Sequence, residues 1–217
     1  MPQFPFKELV ERLKDYYADD VPVVTRLAAR RQDPFLVLIG CLLSLRTRDE
    51  TTDAAMERLM EKARTPEAIL AMPVEELERA IYPVGFYRVK ARLLKDVSRT
   101  VIEKYDRRVP DSIEELLTIK GVGRKTANIV ITEGFGIPGI AVDTHVHRIS
   151  NRLGAVKTRT PGETEEELRR RLPRQYWIPI NPLLVTHGRR TCVPISPFCS
   201  RCPVPEICAR AGVARSR

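Results

Sequence analysis

An all-α fold is predicted by three features of this 217-residue chain. Apolar residues recur at helical spacing almost everywhere, and no segment keeps a period of two for long. Between the periodic runs stand helix starts, read from prolines, capping residues and early acids. No internal repeat or low-complexity tract interrupts the pattern.

The elements follow in order. Phe6, Leu9, Val10 and Leu13 fall at i, i+3, i+4 and i+7, the stripe of a short amphipathic opening helix. Pro34 starts a second helix whose run, Phe35 to Leu45, is apolar on too many sides to lie at a surface. Thr65-Pro66-Glu67 supplies an N-cap, a first-turn proline and an early acid, opening a helix to about Ala71. Pro73-Val74-Glu75-Glu76 opens the next. Tyr87 to Tyr105 reads as one long helix, with Val89, Leu93, Leu94, Val97 and Val101 inside. Pro110-Asp111-Ser112-Ile113-Glu114 combines an N-cap with an acid three residues on, the capping-box spacing.

Bulk composition narrows the class. Hydrophobic content of 43% and charged content of 30% describe a soluble globular protein with enough chain for a real core. The longest apolar run is too short to cross a bilayer, so no membrane partner is expected. The N-terminus lacks the basic-then-apolar order of a secretory signal, which places the chain in a reducing cytosol, and a DNA partner would associate it with the nucleoid. Net charge is +9, with most of the excess in the C-terminal third. A polyanion partner fits that distribution, as do solubility or ribosomal contact.

Four cysteines, Cys192, Cys199, Cys202 and Cys208, form a C-x6-C-x2-C-x5-C run near the C-terminus. Zinc modules bring two short-spaced pairs, and here only Cys199 and Cys202 make such a knuckle. A disulfide framework does not suit a chain with five cysteines and no signal peptide. Four thiolates at irregular spacing suit a cubane 4Fe-4S cluster, with zinc as the alternative. Pro194, Pro197, Pro203 and Pro205 suppress helix in this loop. The fifth cysteine, Cys41, reads as a small buried hydrophobe.

One further motif carries chemistry. Ile113, Leu116, Leu117 and Ile119 form an apolar face running into Lys120-Gly121-Val122-Gly123-Arg124-Lys125-Thr126-Ala127. Two glycines around one apolar residue let the backbone turn sharply and approach another surface, with Val122 anchoring the turn in the core. The next helix begins near Arg124, so amides at its positive end face outward, an arrangement that binds phosphate. The same pattern also marks an ordinary helix–helix turn.

The stretch Gly121-Val122-Gly123-Arg124-Lys125-Thr126-Ala127-Asn128, then Ala141-Val142-Asp143-Thr144-His145-Val146, then the four cysteines, resembles the endonuclease III branch of the helix-hairpin-helix DNA glycosylases. Similarity runs from about Pro34 to Cys208. The resemblance implies a two-domain helical fold: a six-helix domain over 23–137, with the helix-hairpin-helix at about 112–133, and an iron–sulfur domain built from 1–22 and 138–217, its cluster loop at 192–208. DNA would lie in a cleft between them, bound by a monomer. The opening helix should then pack with residues after about Pro138.

The resemblance also assigns roles. The catalytic lysine falls on Lys125, not on Lys120. A lysine attacks only as the neutral amine, which Arg124 and a positive helix N-terminus favour. Lys125 would attack the anomeric carbon of a damaged nucleotide, displace the base and form a Schiff base, after which elimination nicks the strand. Asp143 matches the family carboxylate that stabilises positive charge on the sugar; it is also a good N-cap for a helix through Val146 and Ile149. Gap filling after base extrusion falls to Arg46, where relatives carry glutamine, and to Phe86 as wedge, unless Phe86 packs in the core. Gly121, Val122, Gly123 and Arg124 would hold the DNA backbone. His145 matches a residue near the pocket, or is structural; His147 and His187 have no assigned part. Arg189, Arg190 and Arg201 would lie near phosphates.

The resulting expectation is a base-excision-repair glycosylase with abasic-site lyase activity, acting on oxidised pyrimidines in double-stranded DNA. A mismatch glycosylase of the same superfamily, specific for thymine or adenine, competes with it but usually lacks the lysine. A non-catalytic iron–sulfur DNA-binding protein is a third reading, weakened by Lys125 and Asp143.

Overall fold

The computed structural model describes residues 4–18 and 33–217. Among them every regular element is a helix. The chain divides into two compact units, Val23–Ile137 and Met1–Pro22 with Pro138–Arg217. The first crossing point, between residues 22 and 23, lies outside the described residues.

The Val23–Ile137 unit is built around α2, Pro34–Ser44. Asp33 starts it, its Oδ1 accepting from the amides of Phe35 at 2.9 Å and Leu36 at 3.4 Å. Because every residue from Phe35 to Leu43 is buried, α2 occupies the centre of the unit's core. Four helices follow it: α3 (Asp49–Lys62), α4 (Pro66–Ala71), α5 (Val74–Ile81) and α6 (Tyr87–Lys104); α3 and α6 pack against α2, α5 packs on α3 and α6, and α4 on α6. Thr65 caps α4, its hydroxyl accepting from the Ala68 amide at 3.2 Å. In α6 the buried stripe is Ala91, Leu94, Val97 and Val101; Val89, expected inside, is 64% exposed, and Lys90 is buried in its place. Val89 stands two residues, about 200°, from Ala91 on the helix, so it faces away from the buried stripe, whereas Lys90 borders that stripe.

The hairpin is shorter than its pattern. Its first helix, α7, spans only Ile113–Leu116, capped by Ser112, whose hydroxyl accepts from the Glu115 amide at 3.3 Å and donates to that carboxylate at 2.9 Å. Leu116, Ile119 and Val122 are buried, whereas Leu117 turns outward. The second helix, α8 (Arg124–Ile129), passes into a π-helical turn over Val130–Gly134. Thr132 returns its hydroxyl to the Asn128 carbonyl there, at 2.8 Å.

In the other unit, α1 (Phe6–Tyr16) buries Phe6, Leu9, Val10 and Leu13 in one cluster with Ile140, Val146, Ile149, Leu184 and Val204. Both ends of this unit's sequence therefore share a core. Three helices complete it: α9 (Thr144–Leu153), α10 (Pro161–Arg171) and α11 (Trp177–Arg190). Gly154, at φ +78°, closes α9 in the left-handed conformation that glycine adopts most cheaply. Arg12 ties α1 to the cysteine loop through Glu206 at 2.7 Å.

Candidate DNA-repair site

Local folding fixes the surroundings of Lys125. Gly121 has φ +83°, and a Cβ there would stand 2.9 Å from Leu93 Cδ2, so both backbone angle and space demand glycine. Gly123 is different: its φ is −102°, and nothing lies within 4 Å of where a Cβ would be. The backbone is thus open to an approaching surface. Val122 is 7% exposed, so its side chain anchors the turn and only its main chain can meet a phosphate. Arg124 and Lys125 are exposed at the first two positions of α8. Below them lies Cys41. Burial pushes its thiol up to about 12, the charge of Lys125 opposes that rise, and Glu133 adds to it.

Asp143 is the N-cap of α9. Its Oδ1 accepts from the amides of His145 at 2.8 Å and Val146 at 2.9 Å. Three residues hold the start of this helix in place. Asn181 donates to the Ala141 carbonyl at 2.8 Å. Gly188 of α11 lies so close to the His145 ring that a Cβ would fall 2.4 Å from Nδ1. Arg148 donates to the carbonyls of Gly188 at 3.2 Å and Cys192 at 3.0 Å. His145 is packed between Gly188 and Arg148, 3.1 Å from the latter's guanidinium, which gives it a structural part.

The two gap-filling candidates come together. Arg46 and Phe86 both adopt positive φ, 53° and 60°, in the loop after α2 and in the turn before α6. Phe86 is 62% exposed, so it does not pack in the core. The Arg46 guanidinium lies 6.0 Å from the Phe86 ring centroid, a cation–π spacing. Leu45 and Tyr82, near them in sequence, are exposed as well.

Cys192, Cys199, Cys202 and Cys208 line one small cavity, together with Arg152, His187 and Phe198. Yet among the described residues no three His, Cys, Asp or Glu side chains are gathered as one metal ion requires. Burial raises Cys202 to about 11 and also raises Cys208, with the neighbouring cysteines adding to both. Four thiolates therefore need a cationic occupant to coexist here.

Two partners of this loop were not singled out from the sequence. Arg152, 8% exposed, donates to Cys192 Sγ at 3.3 Å and to the carbonyls of Val193 at 2.9 Å and Pro194 at 3.1 Å. His187 is buried, with Nδ1 2.9 Å from the Tyr17 hydroxyl and Nε2 3.9 Å from Cys202 Sγ. Burial pulls it down to about 4, with Arg148 adding to the fall, so it is a neutral imidazole. An arginine on the buried stripe of α9 was the available signal for Arg152; His187 had none beyond its place five residues before Cys192. Arg201, expected near phosphate, stacks on Phe198 at 4.0 Å and donates to the Arg190 carbonyl at 3.1 Å.

Residues 39–174 match the profile of the HhH-GPD superfamily of base excision DNA repair proteins. Endonuclease III of Thermotoga maritima is 54% identical over 179 residues, covering 82% of this chain and 84% of that protein. The chain belongs to the endonuclease III family. Endonuclease III of Bacillus subtilis is 39% identical over 85% of the chain and 84% of its own length. Against the chloroplastic homologue 1 of Arabidopsis thaliana, 42% identical, the chain spans about half of the relative's length, 49%. A solved endonuclease III trapped as a covalent intermediate with DNA superposes with a TM-score of 0.85, at 34% identity and 97% coverage of each chain. A thermostable thymine-DNA glycosylase superposes at 0.83, with 25% identity and 94% and 95% coverage. The endonuclease III family fold thus accounts for nearly the whole chain. No helix among the described residues is long and apolar enough to cross a membrane.

Proposed function

We propose that this protein excises oxidised pyrimidines from double-stranded DNA and nicks the strand at the resulting abasic site. The observation that carries the reading is an exposed lysine, Lys125, on the first turn of the helix behind an open glycine turn, in a chain of the endonuclease III family. Gly121, Gly123 and Arg124 hold the DNA backbone. The damaged nucleotide leaves the stack, because its anomeric carbon is out of reach inside a duplex. The neutral amine of Lys125 then forms a bond to C1′ as the C1′–N bond to the base breaks, and the base departs with its electron pair. Loss of the amine proton and ring opening give the Schiff base. Removal of a C2′ proton then expels the 3′ phosphate, which nicks the strand.

Asp143 carries the anion that stabilises positive charge developing on the sugar. Its Oδ1 already accepts two amide bonds, which fix the carboxylate's orientation without consuming its charge. Cap and catalytic anion are compatible in one residue.

Cys192, Cys199, Cys202 and Cys208 hold a 4Fe-4S cluster. Support comes from the four cysteines lining one cavity and from their C-x6-C-x2-C-x5-C spacing in a chain of the endonuclease III family. The cluster would hold the loop rigid and supply no step of the reaction, since lysine and aspartate suffice. Arg152 and Arg148 connect this loop to α9, whose cap is Asp143.

Borohydride trapping tests the reading. Wild-type protein should become covalently linked to a duplex containing thymine glycol, and Lys125→Gln should yield no adduct. An adduct of undiminished yield in the variant would refute Lys125 as nucleophile.

A further inference from the structure

One buried cation remains without a part in this chemistry. Lys90, in the first turn of α6, is 6% exposed, and desolvation pulls it down to about 8, so it stays charged at neutral pH. Its Nζ donates to the Leu43 carbonyl at 2.7 Å, the Leu45 carbonyl at 2.6 Å and the Thr47 hydroxyl at 3.1 Å. An ammonium has three N–H groups, and these three acceptors take all of them. Two of the acceptors belong to the C-terminal end of α2, where carbonyls lack partners within the helix.

The third acceptor links two loops. Thr47 Oγ1 also accepts from the Gly85 amide at 3.1 Å. Gly85 is pressed against the same loop: a Cβ there would fall 2.7 Å from the Arg46 carbonyl oxygen. Arg46 and Phe86, flanking this junction, both hold positive φ, which side chains of their kind seldom adopt unless their surroundings impose it. The surroundings here are Lys90, Thr47 and Gly85. The result is two exposed side chains, a guanidinium and a phenyl ring 6.0 Å apart, set on one rigid base.

We propose that Lys90 is a positioning residue for base extrusion: its buried ammonium locks the Arg46 loop to the Phe86 turn, so that both side chains enter the duplex as one preformed wedge. This rests on the repair reading and adds to it the source of the wedge's rigidity. A helix cap that served only stability would affect every activity alike. A wedge lock affects only substrates that must be opened, because a single strand has no stack to invade and no partner base to replace.

The experiment compares two substrates with the full-length, cluster-loaded enzyme under single turnover. One is a duplex containing thymine glycol, scored for base release; the other is a single strand with an abasic site, scored for borohydride trapping. Lys90→Met keeps the length of the side chain and removes its three donors. It should lose on the order of 10- to 100-fold in base release from the duplex, the scale set by ångström misplacement of working groups. Trapping on the single strand should stay at the wild-type rate. Equal losses on both substrates, or none on the duplex, would overturn the proposal. If Lys90→Met does not fold, Thr47→Val decides: it removes the link to Gly85 and one of the three Lys90 bonds, leaving those to Leu43 and Leu45, and should show a smaller loss confined to the duplex, while an unchanged duplex rate rules the lock out. Wild-type enzyme that traps the abasic strand yet releases no base would overturn the repair reading itself.

Discussion

At the residue scale, a substitution can separate the cap that Asp143 forms from the catalytic charge proposed for it. Asparagine keeps a carbonyl oxygen where Oδ1 accepts the amides of His145 and Val146, so Asp143→Asn should retain the α9 cap. It removes the negative charge. Base release should fall by roughly 10²–10³-fold, the scale for loss of one preorganised electrostatic contact, with thermal stability nearly unchanged; a stable variant of normal rate would remove Asp143 from the chemistry. The cap was legible in the sequence, because the position of Asp143 before Thr144 and a periodic helix is local information; the catalytic role rests on the family resemblance. Lys90 was not legible. A lysine between Val89 and Ala91 reads as surface, and only the arrival of Leu43, Leu45 and Thr47, more than forty residues away in sequence, makes it interior.

At the element scale, caps were read to within a residue because their signals span three or four residues. Thr65 before Pro66 forms the bond its spacing implies, whereas the second cap sits one residue beyond the Asp111–Glu114 spacing, on Ser112 with Glu115. Thr65→Ala should cost about 1 kcal/mol of unfolding free energy in a denaturant titration. The hairpin makes a stronger prediction. Gly121→Ala forces a side chain into φ +83° and against Leu93, costing about 1–2 kcal/mol from backbone conformation alone. Gly123→Ala meets no atom within 4 Å and has an ordinary φ, so it should leave stability unchanged and weaken only DNA binding. A stability loss at Gly123 matching that at Gly121 would show that the turn serves the fold alone. Periodicity failed where a helix was short or ended irregularly: Leu117 follows a four-residue α7, and α8 loosens into a π turn. In such elements the 3.6-residue phase no longer decides which side chains face the core.

At the scale of the whole molecule, the four cysteines and the DNA-binding charge set the behaviour. Cys199→Ser should lower bound iron and acid-labile sulfide and destabilise the Met1–Pro22 with Pro138–Arg217 unit, since the loop shares a cluster with α1. Zinc in place of iron, found by metal analysis, would contradict the cubane reading. Affinity for duplex DNA should fall with salt by roughly 0.9 log units per neutralised phosphate for each tenfold rise. The four cysteines stood out because their grouping in one loop has few uses, whereas Arg152 and His187 were hidden inside helices with ordinary periodicity. The account's central claim is that the Lys125 amine bonds to the sugar. Its most direct test is mass-spectrometric mapping of the borohydride-reduced protein–DNA adduct after proteolysis. The modified peptide should carry the deoxyribose remnant on Lys125; a remnant on Lys120, or on any other residue, would contradict the account.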